Sequence, residues 1–203
     1  MHMFITFEGG EGSGKTTLIA KIATELRSRS LDVVTTREPG GSLIAEKIRS
    51  ILLDNDNVAI KAHTEALLFA ASRAQHLDEV IIPNLHKIIL CDRYIDSSFA
   101  YQAIGRDLGL DFVKNVNSYA LNYMPDLTFY IDLDPKVGMQ RVHNNRSNKK
   151  DRLDLETNNF HLKVREGYLM VAKLYKERVI VIDGNRSVLE IYDEIMGYID
   201  SKL

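Results

Sequence analysis

Five short apolar runs punctuate the chain: MFITF (3–7), DVVTT (32–36), KIILCD (87–92), LTFYIDL (127–133) and RVIVID (178–183). Each is rich in β-branched or aromatic residues and too short for a buried helix, so each predicts a strand. Between them lie stretches patterned at helical spacing, at about 15–29, 42–54, 60–82, 111–121, 135–145, 156–176 and 187–202. Strands alternating with helices predict parallel βαβ units in one α/β domain, a five-stranded sheet flanked by helices. No repeat, low-complexity tract or long linker interrupts the pattern, and 203 residues suit one such domain better than two.

Composition narrows the function. A formal net charge of −2 excludes a surface that coats nucleic acid, so any anion must be held by local clusters. The opening apolar run is cut short by Glu8, and no segment approaches the length of a membrane span. One cysteine, Cys91, fits a reducing cytoplasm, and the six histidines lack metal-ligand spacing.

The first strand runs into FEGGEGSGKTT, where Gly9, four residues and Gly14-Lys15-Thr16 form a P-loop opening a helix. Its glycines turn backbone N–H groups inward and the helix N-terminus adds positive charge, a cradle for phosphates. Lys15, expected exposed and free of the core, would reach the β- and γ-phosphates, and the Thr16 hydroxyl would bind Mg²⁺. The third run ends in Asp92-Arg93-Tyr94. In an open α/β sheet ligands bind at the carboxyl ends of strands, which places Asp92 near the metal and Arg93 on a phosphate.

A second anion site is expected as well. Arg37 ends the second strand before Glu38-Pro39-Gly40-Gly41, and Phe69 and Arg73 lie four apart on one helical face. An aromatic plane beside an arginine fork can stack on a base and donate to its carbonyl edge. The stretch 141–152, RVHNNRSNKKDR, carries Arg141, Arg146, Lys149, Lys150 and Arg152, reads as a basic lid of about 141–153, and has too little apolar content for core. Within it Asn148-Lys149-Lys150-Asp151 spells the guanine-reading N-K-x-D pattern, but no strand precedes it, so the match is one of chance.

Together FEGGEGSGKTT, TREPGG, LLFAASRAQH, DRYIDSSFAYQ, DRLDLE and VREGYL resemble, in that order, the thymidylate kinase family of P-loop nucleoside monophosphate kinases. The resemblance implies transfer of the γ-phosphate of ATP to dTMP with Mg²⁺, in a cytoplasmic homodimer acting on small molecules rather than on nucleic acid or membrane. It implies that Gly9, Gly10, Glu11, Gly12, Ser13, Gly14, Lys15, Thr16 and Thr17 bind ATP, with Thr16 and Asp92 at the metal. Arg37 and Arg93 would grip the dTMP phosphate, and Phe69 would stack on thymine. Arg73 would donate to a thymine carbonyl, Ser98 would approach the base, Tyr101 would fill the 2′ position of the sugar, and Gln102 would join that wall. Glu8 and Glu166 are weaker candidates near sugar or metal. The P-loop itself carries no arginine, so the cation on the transferring phosphoryl group is expected from the lid, Arg146 before Arg141 and Arg152. Lys15, Arg93 and Arg146 are thus the expected catalytic residues. A kinase of another monophosphate or of a nucleoside, and a regulatory nucleotide-binding module, are the rival readings.

Overall fold

The structure, a computed structural model, describes residues 2–145 and 151–203. Strands β1 (Met3–Glu8), β2 (Val33–Arg37), β3 (Ile88–Asp92), β4 (Leu127–Asp132) and β5 (Val179–Asp183) form one parallel sheet in the order β2-β3-β1-β4-β5. The five apolar runs are these strands, shifted by a residue or two at their ends. β1 sits at the centre because both its faces are covered and buried. Met3, Ile5 and Phe7 point into a core with Leu18, Ile22 and Leu26 of α1 (Lys15–Ser28) and Ile191, Ile195 and Ile199 of α8 (Val188–Asp200). Phe4 points the other way, among Ile89, Tyr94, Phe99 and residues Phe160, Val164 and Tyr168 of α7 (Asn158–Leu174). Thr6 and Glu8 share that second face and are also fully buried.

The remaining helices are α2 (Leu43–Leu53), α3 (Ala62–His76), α4 (Ile95–Ser98), α5 (Leu110–Val116) and α6 (Pro135–Asn145). Two are shorter than the periodicity predicts. The helix expected over 60–82 leaves α geometry after His76 for a π turn, Leu77–Ile81, and a 3₁₀ turn, Ile82–Asn84. Pro83 offers no N–H to continue the ladder there. That expected over 111–121 ends at Val116, with a separate 3₁₀ turn at Ala120–Asn122. One helix was not foreseen: α4 continues as a π-helical segment, Phe99–Gly105, buried along its length. Asp96, Ser97 and Ser98 give it a loop-like sequence, and packing against α7 makes it helical. A Cβ on Gly167 would lie 2.9 Å from Ala100 Cα, so the two elements meet backbone to backbone.

The basic stretch divides. Residues 141–145 complete α6, and 146–150, with Arg146, Lys149 and Lys150, lie outside the described residues. Arg152 corrects the expectation that the stretch has too little apolar content to reach the interior. It is buried, donating from Nε to Leu52 O (2.8 Å) and from Nη2 to Glu65 Oε2 (2.8 Å). Asp151 caps its own turn, accepting from the N–H groups of Leu153 and Asp154, and α6 rather than a strand leads into its segment.

The turn after β1 also packs without tolerance. Gly12 has φ +72°, its Cβ position would fall 2.2 Å from Gly138 O, and a Cβ on Gly138 would fall 2.2 Å from Glu11 O. Gly138→Ala should therefore destabilise by about 1–3 kcal/mol through overpacking. Gly197→Ala, at an exposed position of α8 with nothing within 4 Å of its Cβ position, should stabilise by about 0.5–1 kcal/mol. Urea unfolding of the two variants beside wild type checks the opposite signs.

Candidate active site

Parallel register sets the site. Phe7 lies opposite Asp92, and Asp92 opposite Arg37, so the carboxyl ends of β1, β3 and β2 finish side by side. They open into one cleft of about 1590 Å³. On one side stand Glu11, Gly12, Ser13, Gly14, Lys15, Thr16 and Thr17, and beyond them Arg141 and Arg186. On the other stand Arg37, Arg49, Phe69, Arg93, Ser98, Tyr101 and Gln102.

On the cradle side Gly14 adopts φ +91° before α1, leaving the first amides of the helix directed at the cleft. Lys15 is not exposed as expected; only 7% of it is accessible. Its ammonium donates to Gly9 O and Gly10 O (both 3.0 Å), and burial lowers its pKa, with Arg93 adding to the effect. Thr16 Oγ1 donates to Asp92 Oδ2 at 3.1 Å, joining the two residues expected at the metal. Among the described residues no three His, Cys, Asp or Glu side chains gather as a cage. One hydroxyl and one carboxylate are hard oxygen donors of the kind that Mg²⁺ uses together with phosphates and water.

On the acceptor side Arg93 occupies a left-handed conformation, φ 69°, which turns its side chain back over the sheet edge. Its guanidinium donates to Glu11 Oε1 (2.9 Å) and Tyr168 Oη (3.1 Å) and lies 5.3 Å from the centre of the Tyr101 ring. Arg37 projects into solvent and pairs with Glu46 at 2.9 Å. Phe69 closes the floor beside Tyr101 and Gln102, and Gln102 is fixed by donating to Glu65 Oε1 at 3.0 Å.

Arg73, expected to donate to a thymine carbonyl, lies just behind the cleft wall. It is 2% exposed and is absent from the residues that line the cleft. Nε donates to Glu38 Oε2 (2.7 Å), Nη1 to Ser98 Oγ and Asn117 Oδ1, and Nη2 to Tyr94 O. Only one Nη2 hydrogen has no partner among the described residues. Arg73 thus stands behind Ser98, holding it from the far side. Glu166 is absent from the cleft lining too.

Three residues that sequence reasoning passed over belong to the site. Arg49 of α2 borders the cleft, donates to Pro39 O at 2.7 Å, and has its pKa lowered by burial and by neighbouring Arg37. In the sequence it reads as part of a solvated helical face. Ser97 and Tyr168 form a chain beneath Arg93. Glu8 Oε1 accepts from Tyr94 N–H (2.7 Å), and Oε2 accepts from Ser97 Oγ (2.6 Å) and Tyr168 Oη (2.9 Å). Tyr168 in turn accepts from Arg93, so Glu8 supports the guanidinium through a phenol rather than touching a ligand.

A phosphate cradle facing a second set of cations across one cleft, at the switch point of a parallel sheet, defines a P-loop kinase for small phosphorylated acceptors. The comparisons make the family specific. The thymidylate kinase family model matches residues 7–195. The chain is 69% identical over 201 residues to the thymidylate kinase of Acholeplasma laidlawii, covering 99% of this chain and 100% of that protein. It is 48% identical to that of Geobacillus thermodenitrificans, covering 98% and 90%. A crystal structure of the Ehrlichia chaffeensis thymidylate kinase superposes with a TM-score of 0.79 at 32% identity, covering 97% of this chain and 98% of that one. The chain belongs to the thymidylate kinase family.

Glu8 gives the site a pH signature. Burial, with Asp96 adding, raises its pKa from 4.5 to about 7, against the hydrogen bond from Ser97 and the charge of Arg93. The folded state keeps a proton that the unfolded chain releases, so this stabilisation is full below about 4.5 and is lost as pH rises through about 7. Glu8→Gln should remove the loss. Its stability relative to wild type should climb over that interval by roughly 3 kcal/mol, read by urea unfolding across a pH series. A constant difference between the two proteins would contradict the assignment.

Proposed function

We propose that the chain transfers the γ-phosphate of ATP to dTMP, giving dTDP and ADP. The observation that carries this reading is the single cleft with cations for two phosphate groups and an aromatic floor, Phe69, beside Tyr101 and Gln102. ATP takes the cradle of Gly9 to Thr17, with Lys15 on its β- and γ-phosphates. dTMP lies across Phe69 and Tyr101 with its phosphate toward Arg93, Arg37 and Arg49. Ser98 and Gln102 face the base, and Arg73 orders Ser98 from behind.

Phosphoryl transfer asks the protein for in-line positioning and for charge on the equatorial oxygens. Arg93 is suited to the first task, because Glu11 and Tyr168 fix its fork before an acceptor arrives. For the second, Lys15 stands in the cradle and Arg141 borders the cleft while donating to Gly184 O at 3.2 Å. Arg146, the expected carrier, lies outside the described residues; it stays the first candidate because the loop residues Gly10 to Ser13 contain no cation. Arg152, committed to Leu52 and Glu65, is the least suited of the three. Mg²⁺, held by Thr16 and near Asp92, would neutralise charge on the ATP phosphates. The family likeness further supports a cytoplasmic homodimer, and exposed Leu43 and Ile51 on α2 and Leu67 on α3 give a second copy apolar surface to cover.

Coupled ADP release over a panel of nucleoside monophosphates and nucleosides tests the reading, with greatest turnover expected for dTMP. Acceptor-independent or absent ADP release would favour a binding module, and another preferred acceptor a different kinase. Tyr101 refines the assignment, since the residue is only 8% exposed in the wall where a ribose 2′-hydroxyl would fall. Tyr101→Ala should narrow the kcat/KM preference for dTMP over its ribo-analogue by about tenfold, the scale of a steric pocket contact, mainly by admitting the analogue. An unchanged ratio would remove Tyr101 from that role.

A further inference from the structure

His76, the last residue of α3, is completely buried and spends both ring nitrogens on the end of β2. Nε2 lies 2.6 Å from Thr36 Oγ1, and Nδ1 lies 3.0 Å from Glu38 Oε1. The other oxygen of Glu38 accepts from Arg73 Nε at 2.7 Å. A carboxylate paired with an arginine only accepts, so Nδ1 carries the proton of that bond. A hydroxyl can donate or accept, so Thr36 serves Nε2 in either protonation state of the ring. Thr36 and Glu38 border the cleft, whereas His76 does not. Gly40 N–H donates to Ser72 Oγ at 3.2 Å, which keys the turn to α3 a second time. Gly41, at φ +87°, lies so close to the ring that a Cβ would fall 2.6 Å from its Cδ2 and Nε2. The turn after β2 is built on this imidazole.

We infer that His76 is a positioning residue for the acceptor phosphate, fixing the backbone that aims Arg37 by tying Thr36 and Glu38 to α3. This rests on the proposed function, which sets the dTMP phosphate toward Arg37. Thr36 and Glu38 are the two chain neighbours of Arg37. In an extended strand they share one face and Arg37 takes the other. The ladder does extend that far, with Glu38 N–H donating to Asp92 O at 2.9 Å. One ring therefore staples the strand from behind the arginine. β2 needs the staple because it is an edge strand, paired with β3 alone. The Arg37–Glu46 pair lies at the exposed surface and restrains the side chain weakly. A clamp ordered only by its ligand would lose affinity to that ordering, and a fixed strand end spares most of it.

The test measures equilibrium binding of dTMP and of thymidine, which lacks the phosphate, to the whole enzyme. Thr36→Val keeps the branched side chain and loses the hydroxyl; Thr36→Ser keeps the hydroxyl. Affinity for dTMP should fall roughly three- to tenfold in Thr36→Val, the scale of one hydrogen bond, and stay near wild type in Thr36→Ser. Affinity for thymidine should not change in either. His76→Phe, which keeps a ring and loses both nitrogens, should show the same pattern with a larger loss. In an Arg37→Ala background Thr36→Val should add nothing, because the route it acts through is gone. Equal weakening of both ligands, weakening of neither, Thr36→Ser behaving as Thr36→Val, or an undiminished loss without Arg37 would each overturn the inference. Should His76→Phe not fold, the Thr36 and Arg37 variants, on the edge strand, decide. Failure of the function itself would be separate and visible, as wild type releasing no ADP with dTMP.

Discussion

The parallel pairing of β1 with β3, Phe7 opposite Asp92, is the constraint from which the site follows. It ends two strands at one level, so the turn after one must form beside the turn after the other. The first turn becomes a phosphate cradle, and the second delivers Asp92 to Thr16 and Arg93 to the far side of the same cleft. β2, added beyond β3, brings Arg37 to that edge by the same register. Donor and acceptor sites are neighbours because strand ends are neighbours.

That geometry is maintained by polar groups taken out of water. Arg73 with Glu38, Arg178 with Asp96, and Glu65 with Arg106 and Arg152 are ion pairs whose carboxylates are almost wholly buried. Such pairs add little net stability over apolar packing, but loss of one partner leaves a charge stranded. Their positions suggest orientation as their contribution. Arg73 holds Ser98, Glu65 holds Gln102, and Glu8 holds Arg93 through Tyr168. Arg73 and Glu65 lie one residue behind a group that faces the cleft, and Glu8 lies behind Tyr168. Preorganisation of this kind lets arginine forks meet a phosphate without first being ordered.

Glu65 also ties distant chain segments together. It accepts from Gln102 of the π-helical segment, from Arg106 just after it, and from Arg152, more than eighty residues on, while Arg106 reaches Glu156 as well. The chain around Arg152 is thus anchored on the acceptor wall, near the start of α7.

The sequence by itself determined the strands, the order of the motifs and the cradle. Short apolar runs and a glycine turn before a helix act over a few residues, and local physics can be read locally. The helical course of 95–105 could not be read that way, because Asp96, Ser97 and Ser98 lack helical signals and their conformation comes from burial against α7. Tertiary structure likewise buried Lys15 and Arg152, drew Arg73 behind the wall, and turned Arg49 toward the cleft. A side chain's partners lie tens of residues away, so its role is decided by what packs opposite it.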